Sequence, residues 1–558
     1  MIEKNQDMII PPDNFVFIPL GGATGIGMNF FVYGYRGKWL LVDCGIGFPG
    51  DGLPGVDVLL PNPAFLSDKK QDIVGLVITH AHEDHIGAIP YLWRDLQCPI
   101  YATPFATELI ESKLDEAGLL GRAEVNTVIP GAAIDLHPFE VEFVSMNHSI
   151  PEPHALAIRT KAGLVVHTGD WKWNTDPILG NGTDTKALSA LGKEGVLALV
   201  CDSTNVFGEE TTATEADVQK TLERLITEYP DKQIAITCFA SNVARVKSIY
   251  QAAVANGRDV CLMGRSLWRI DAAARATGYF ADIPEFLSER EALERPIGSV
   301  LYICTGSQGE SHSALSTLST ITPQKNSVYF GPDDVVIFSS RIIPGNEKAI
   351  ALLQRKLKAK GCKIITDREE LVHVSGHYAG SDLDRLYQLL KPKISLPVHG
   401  ESLELNEHVE RAKKLGVPFA FALEDGEVIT LEDEPQILGE VATGILAVDG
   451  KQILKLDADV IRKRRKMMDD GSLVITLVVD RQGAVLGEPQ LSTFGLLDAS
   501  EEDKKKLIEL IRDKVSTLPI EEVDFNARVD QAVREVIRKF LNEFYGKHPL
   551  IDVHLVRI

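Results

Sequence analysis

The chain has 558 residues, a hydrophobic fraction of 44%, a charged fraction of 25% and a formal net charge of −21. The length predicts three or four domains, and the composition excludes a disordered or fibrous protein. The acidic surplus counts against a nucleic-acid partner held by a global positive field, although a local positive groove stays compatible with it.

No apolar run reaches the length of a bilayer-spanning helix, so no membrane partner is expected. Residues 1–8 lack the positive region and apolar core of a signal peptide. The seven cysteines are scattered without a CxxC pair, which predicts reduced, mostly buried thiols in a cytoplasmic protein.

In chain order, residues 15–45 read as strands with tight turns, including a hairpin around Arg36-Gly37. The glycines at 21, 22, 25 and 27 are not followed by a βαβ unit, so they read as a turn beside a site rather than a dinucleotide loop. Asp43 ends the second hairpin strand. The run Ile73–Ile78 is a buried strand that leads into His80-Ala-His-Glu-Asp-His85. Short strands and helices then alternate, and the strand tips carry chemistry. Val141–Val144 delivers His148, Leu164–Thr168 delivers Asp170, and Val196–Val200 delivers Asp202. Ligands at the carboxyl ends of strands are held rigidly and face a crevice.

From about residue 206 the pattern becomes helix–strand–helix, with strands near 233–239, 260–263, 299–304 and 334–338, which predicts a parallel α/β domain of its own. His373-Val-Ser-Gly-His377 and the strand 394–398, which delivers His399, again place histidines at strand ends. The chain is therefore expected to return to its first domain, leaving the second as an insertion. The thin stretch 439–450 suggests a linker. The tail reads as a small α/β domain with a strand at 473–479, helices at 501–515 and 525–544 and a closing strand at 551–556.

His80, His82, Asp84, His85, His148, Asp170 and His399 are too many ligands for one ion and divide well over two, with one carboxylate shared. Imidazole and carboxylate donors without thiolates suit Zn²⁺, with Mn²⁺ or Mg²⁺ as alternatives. Two ions roughly 3.5–4 Å apart can clamp the oxygens of a phosphodiester during hydrolysis. An ester or thioester hydrolase could be built on the same donors, and a chain of this design could also serve as a non-catalytic RNA-binding scaffold.

His80-Ala-His-Glu-Asp-His85, with His148 and Asp170 downstream, resembles the HxHxDH motif of the metallo-β-lactamase fold. Asp202, His377 and His399 resemble the three further motifs of the β-CASP nucleases. Phe239-Ala-Ser-Asn242, Cys304–Glu310, Pro344–Glu347 and the tail look like the ribonuclease J family. Ala81, Glu310-Ser-His-Ser and Ser340–Pro344 depart from the usual forms without removing a ligand.

The resemblance implies an αββα sandwich over 1–205 and 373–445, a β-CASP domain inserted at 206–372, a linker at 446–458 and a carboxyl-terminal domain at 459–558. It implies that His80, His82 and His148 would bind one ion, that Asp84, His85 and His399 would bind the other, and that Asp170 would bridge them. Asp43 would orient ligands, Asp202 would position a ligand or water, and His377 would hold the scissile phosphate and protonate the departing 3′-oxygen.

The implied substrate is single-stranded RNA, degraded as a 5′→3′ exonuclease with a 5′-monophosphate preference and also cut internally. His399 at the third motif favours RNA over DNA. His373, Ser375, Gly376, Ser307 and Asn242 are the expected 5′-phosphate contacts, and Arg245, Arg265 and Arg341 the expected cations along the RNA path. The basic run 462–466 reads first as a solvated helix face and second as an RNA patch. A homodimer or homotetramer through the tail is implied, with RNA-decay factors as further partners.

Overall fold

The computed structural model describes residues 10–558 except 51, 209–212, 324–326, 481, 483, 497–500 and 520–524. Residues 1–8, read above as lacking a leader, lie outside this set. The chain divides into two units, Met1–Gly47 with Leu60–Ile445, and Phe48–Leu59 with Leu446–Ile558.

The first unit is organised around two sheets packed face to face. One has eight strands, in the order Ile437–Glu440, Glu427–Thr430, Val16–Gly21, Phe30–Tyr35, Lys38–Val42, Ile73–Val77, Ile100–Ala102 and Val125–Thr127. The other has seven, in the order Phe419–Ala420, Ile394–Val398, Val196–Asp202, Gly163–His167, His154–Thr160, Phe139–Ser145 and Ala133–Leu136. Phe17, Phe31, Tyr33 and Val42 of the first sheet share a core with Phe143, Leu156, Val165, Val200 and Leu396 of the second.

On its other face the second sheet packs on helices Thr185–Glu194 and Gly380–Leu390 through Val166, Leu199, Leu188, Leu383 and Leu386. Both sheets are therefore apolar on two faces, which is why their strands read as continuous hydrophobic runs. The predicted hairpin turns on Arg36 (φ 52°) and Gly37 (φ 70°), a two-residue loop that matches the twist of the flanking strands.

A third sheet of five strands, Asp259–Met263, Val300–Cys304, Ile234–Thr237, Val335–Phe338 and Lys363–Ile365, is parallel throughout. The chain then returns to the second sheet, where Ile394–Val398 runs parallel to Val196–Asp202 and sets Val398 opposite Asp202. The architecture is thus a metallo-β-lactamase sandwich with an inserted α/β domain.

Arg245, expected on the RNA path, is instead fully buried and ties the insertion together. It donates to both Glu215 oxygens (2.5 and 2.9 Å), to the Ser339 carbonyl and hydroxyl (2.9 and 2.8 Å) and to the Val372 carbonyl (2.9 Å). A guanidinium without water needs all of these partners. The expected run at 206–372 gave no sign of this, because helical spacing does not distinguish a buried arginine from a surface one.

In the second unit, Ser472–Val479 lies between Val485–Phe494 and the closing strand Leu550–Arg557. Helices Glu501–Ser516 and Phe525–Tyr545 cover the sheet through Leu507, Ile511, Val529, Val533 and Ile537. The segment expected as a linker, 446–458, is instead mostly a hairpin. Ile445–Asp449 pairs with Gln452–Lys455 around Gly450 (φ 59°), and Val58–Pro61 joins it. Gly450 forms its turn, and Gly439 lies within the strand Ile437–Glu440.

The basic run lies on a mostly exposed helix face, as its first reading expected, with Arg462, Lys463, Arg465 and Lys466 exposed and Arg464 half-buried. Arg464 pairs with Asp449 (2.7 Å), Arg465 donates to the Gly52 carbonyl (2.6 Å), and Arg462 and Lys463 reach Asp459. All seven cysteines are free and buried. Among the described residues no helix is long and apolar enough to cross a membrane.

The Glu215–Arg245 pair has a readable pH signature. Burial pushes the Glu215 carboxyl up, but Arg245 outweighs it and holds the pKa below the ordinary carboxylate range. Stability from this pair is therefore present above about pH 4.3 and is lost as pH falls through the lowered pKa. Glu215→Gln should cost about 3 kcal/mol at pH 7, and the gap from wild type should narrow in acid. Denaturant melts at pH 7 and at about pH 2.5, well below the ordinary carboxylate range, check this; a pH-independent gap would refute it.

Candidate metal centre

Every predicted tip residue lies at one edge of the sandwich. Strands Lys38–Val42 and Ile73–Val77 are parallel neighbours in the first sheet, and Gly163–His167, Val196–Asp202 and Ile394–Val398 are parallel neighbours in the second. Their carboxyl ends bring Asp43, His80, His82, Asp170, Asp202 and His399 together, and His148 follows strand Phe139–Ser145. Asp84 and His85 sit on the short helix Glu83–Ile86.

The backbone of that helix rests on Gly45. A Cβ there would stand 1.6 Å from the Asp84 carbonyl, so only glycine allows the approach.

Two donor groups result, each with all of its ligand atoms within 4.8 Å of one another. They are His80, His82, His148 and Asp170, and Asp84, His85, Asp170 and His399. In the first, His82 Nδ1 lies 3.1 Å from both His80 Nε2 and His148 Nε2. Asp170 Oδ2 completes it at 3.9 and 3.7 Å from the two Nε2 atoms. In the second, Asp170 Oδ1 is 3.4 Å from His85 Nε2 and 2.6 Å from His399 Nδ1, while Asp84 Oδ2 is 3.6 Å from His85 Nε2 and 3.4 Å from His399 Nε2.

Donors about 2.0–2.1 Å from a tetrahedral cation are spaced about 3.4 Å apart, close to these separations. His399 Nε2 is buried and makes no hydrogen bond, as expected of an atom reserved for a ligand. The residues fit two divalent ions, with one Asp170 oxygen offered to each.

The electrostatics agree. Burial pulls His80 and His148 well below the ordinary imidazole range and His82 down to about 4, which leaves their lone pairs free. Burial pushes the Asp84 and Asp170 carboxyls up, but His85 and His399 outweigh it and keep both ionised. Burial pulls His85 and His399 down, and the carboxylates raise them again, His399 to about 10. A negative potential of this kind holds protons until a cation replaces them.

Neighbouring hydrogen bonds fix the rings. Asp43 Oδ2 accepts from His85 Nδ1 at 2.7 Å and from the Thr79 hydroxyl at 2.8 Å, and Asp43 Oδ1 accepts the Thr79 amide at 2.8 Å, so Asp43 orients a ligand without belonging to either group. The Gly376 carbonyl accepts from His148 Nδ1 at 2.7 Å. Asp43 (φ 60°) and His399 (φ 55°) are both left-handed, a strain the surrounding structure imposes.

Asp202, expected to position a ligand or water, instead pairs with His377. Its Oδ2 lies 2.9 Å from His377 Nδ1, and its Oδ1 accepts the Thr204 amide at 2.8 Å. The His377 ring stands edge-on to His148 and His399, with centroids 4.9 and 6.3 Å away.

The expected phosphate contacts divide. Asn242 lines a pocket that also contains His148, but its side chain caps helix Val243–Ala255 by accepting the Arg245 amide. Ser375 Oγ accepts the His377 amide, and Gly376 abuts Ser149. His373 keeps a buried Nδ1 without a partner, and burial, with Arg245 and Lys172 nearby, lowers its pKa to about 3. Ser307 is buried in a structural turn whose neighbour Gln308 fastens the 341–346 loop. Arg265 and Arg341 are exposed.

Sequence reasoning missed Asn29, whose Nδ2 reaches the Asp84 carbonyl and His85 Nε2, and Lys172, which lines the pocket beside His148. Lys172 stands two residues after Asp170, and that adjacency was the available signal.

Family models match along the chain: the metallo-β-lactamase superfamily at 24–189, the ribonuclease J β-CASP domain at 231–357, a Zn-dependent metallo-hydrolase RNA specificity domain at 361–420 and the ribonuclease J C-terminal domain at 459–558. A ribonuclease J of Sinorhizobium meliloti is 40% identical over 556 residues, covering 98% of each chain. The chain belongs to the ribonuclease J family.

A ribonuclease J of Mycolicibacterium smegmatis is 36% identical over 98% of each chain, and one of Corynebacterium glutamicum is 36% identical over 97% of this chain and 76% of its own. A crystal structure of a protein of unknown function from Enterococcus faecalis superposes on 75% of this chain and all of its own with a TM-score of 0.53 at 17% identity, a likeness of fold alone. This ribonuclease J chain is thus a metal-dependent RNA-hydrolysing enzyme, and its two donor groups are suited to the divalent ions its class requires.

Elemental analysis of protein purified without chelators should find two divalent ions per chain. Asp170→Ala should lower this below one, because it removes a donor from both groups. Asp43→Ala, which removes no donor, should weaken metal affinity about 10–100-fold. Full occupancy in Asp170→Ala would refute the shared carboxylate.

Proposed function

We propose that the chain degrades single-stranded RNA as a 5′→3′ exonuclease that prefers a 5′-monophosphate, that it also cuts internally, and that it works with two Zn²⁺ ions, for which Mn²⁺ or Mg²⁺ can substitute. One observation carries the reading. A pocket of mixed apolar and polar lining shares His148 with the first donor group and is further lined by Asn147, Ser149, Lys172 and Asn242 together with Glu152 and Glu215, and Lys172 supplies a positive charge to it. An anionic chain end in this pocket would lie next to the metal centre.

His80, His82, His148 and Asp170 would hold one ion, and Asp84, His85, Asp170 and His399 the other. When bound, the ions supply positive charge that activates water and offsets charge on the phosphoryl oxygens. The remaining chemistry belongs to side chains. Water attacks phosphorus and gives up its proton to solvent, the bond from phosphorus to the 3′-oxygen breaks, and His377 gives its proton to that oxygen. Asp202 keeps His377 Nδ1 protonated and oriented, and its charge raises the His377 pKa against the pull of burial, which favours the acid form. Lys172, with Asn147, Ser149 and Asn242, receives the 5′-phosphate. A small ester would need neither this pocket nor the inserted domain.

The assay is 3′-labelled RNA carrying a 5′-monophosphate, 5′-triphosphate or 5′-hydroxyl. The monophosphate form should disappear fastest. His377→Ala should lower kcat about 10²–10⁴-fold with metal content unchanged. Lys172→Ala should weaken monophosphate RNA by about 1.5–3 kcal/mol, read in KM, while sparing the 5′-hydroxyl form. Indifference to the 5′ end would sink the pocket assignment, and no cleavage of any RNA would sink the activity.

Self-association through the tail is a second part of the proposal. It is supported by exposed Phe494, Val556 and Ile558 near the ends of the two outer strands of the tail sheet. Light scattering should give at least a dimer, and deletion of 459–558 should give a monomer; an unchanged size would count against it.

A further inference from the structure

The shared carboxylate Asp170 and the acid His377 are each followed in the chain by a buried aromatic ring. Trp171 and Tyr378 are both fully buried, and their rings stack with centroids 4.8 Å apart and planes 22° apart. The Tyr378 amide donates to the Trp171 carbonyl at 2.9 Å, and Asn205 Nδ2 donates to the Tyr378 carbonyl at 2.6 Å. The stack shares its core with Cys201 of the second sheet and with Leu383 and Tyr387 of helix Gly380–Leu390. A close-packed interior of this kind holds both rings in place.

The Tyr378 hydroxyl reaches one element further. It donates to the Asp202 carbonyl at 2.9 Å. Asp202 is the last residue of strand Val196–Asp202, where pairing along the strand stops. The turn it opens is held from other sides as well. The Thr204 amide donates to Asp202 Oδ1 at 2.8 Å, the Thr204 hydroxyl donates to the His399 carbonyl at 3.0 Å, and Ser203 Oγ lies 2.9 Å from Nδ1 of the buried His408. The Tyr378 contact joins this turn to the segment that carries His377. Burial, with the Asp202 charge nearby, raises the Tyr378 pKa well above the ordinary phenol range, so the hydroxyl stays a donor.

We propose that Tyr378 is a positioning residue for the general acid: its hydroxyl holds the Asp202 backbone so that the carboxylate meets His377 Nδ1, and its ring, stacked on Trp171, fixes His377 relative to Asp170. This rests on the ribonuclease reading above, in which His377 protonates the departing 3′-oxygen. The Asp202 Oδ2–His377 Nδ1 contact is 2.9 Å long, and such a contact weakens steeply as its angle drifts. Both of its partners are anchored to one tyrosine, His377 by a peptide bond and Asp202 by the hydroxyl. A shift of one therefore carries the other with it. Tyr378 is closed off from solvent and acts only through these two residues.

The test is a double-mutant cycle on the full-length enzyme with its metal ions, read on 5′-monophosphate RNA. Tyr378→Phe keeps the ring and its stack and removes only the hydroxyl. It should lower kcat about three- to tenfold, the scale of one neutral hydrogen bond, with KM and metal content unchanged. In a His377→Ala background the same substitution should change kcat by less than about twofold, because the group it positions is gone. A tyrosine that only supports the fold would cost the same factor in both backgrounds. RNA with sulfur in place of the departing 3′-oxygen gives a second reading, since a thiolate leaves without a proton. On that substrate the loss in Tyr378→Phe should shrink to about twofold or less, as thiols ionise near pH 8.5.

Thermal melts confirm that the variants are folded. An unchanged kcat in Tyr378→Phe, an equal loss in both backgrounds, or a loss that persists in full on the sulfur substrate overturns the role of Tyr378 alone. Wild type that cleaves no RNA overturns the ribonuclease reading and the positioning role with it.

Discussion

Asp170 offers one oxygen to each of two histidine groups, and the surrounding structure allows that carboxylate to remain charged inside the protein. Burial alone would protonate it, and it is 4% exposed. The charge survives because His85 and His399 approach it from different strand ends, one in each sheet. Those approaches require the two facing sheets to bring their carboxyl-terminal strand ends to the same side of the sandwich. This in turn requires the chain to come back to the second sheet after the insertion, with Ile394–Val398 in register beside Val196–Asp202. A slip of one residue in that pairing would turn the strand over and carry His399 away from Asp170. The insertion is therefore tolerated only because it begins and ends near these tips.

Much of the site could be read in the sequence, for a local reason. His80, His82, Asp84 and His85 lie within six residues, and each later ligand follows an apolar run whose length and β-branching mark a strand. What could not be read depends on partners far apart in the chain. Asp202 and His377 are 175 residues apart, so nothing near either one shows that the carboxylate serves the imidazole. Arg245 looked like a surface cation because its partners Glu215, Ser339 and Val372 are scattered through the sequence.

The fold follows the same rule. Helix Pro104–Glu116 and the strands of the inserted sheet are visible from periodicity. The hairpin at 445–455 is not, because its short strands flank Gly450 at the end of a stretch that reads as a linker, and the third strand beside it comes from residues 58–61. The basic run at 462–466 shows the converse. Its charge and its solvated face are legible in the sequence, but the partners of Arg464 and Arg465, Asp449 and the Gly52 carbonyl, are not.

The net charge of −21 can be reconciled with an RNA substrate on these terms. A protein that held RNA by a diffuse positive field would need surplus lysine and arginine on its surface. Here several prominent cations are used internally: Arg245 by Glu215, Arg464 by Asp449 and Arg411 by Asp384. On the proposed function, attraction for phosphate is instead concentrated at the metal centre, where seven donors can gather two divalent charges, and at Lys172 beside it. An acidic exterior then has a use, since it discourages long-range capture of arbitrary polyanion. RNA is then rewarded only where a phosphate reaches the strand tips, which is the selectivity that the proposed action on chain ends requires.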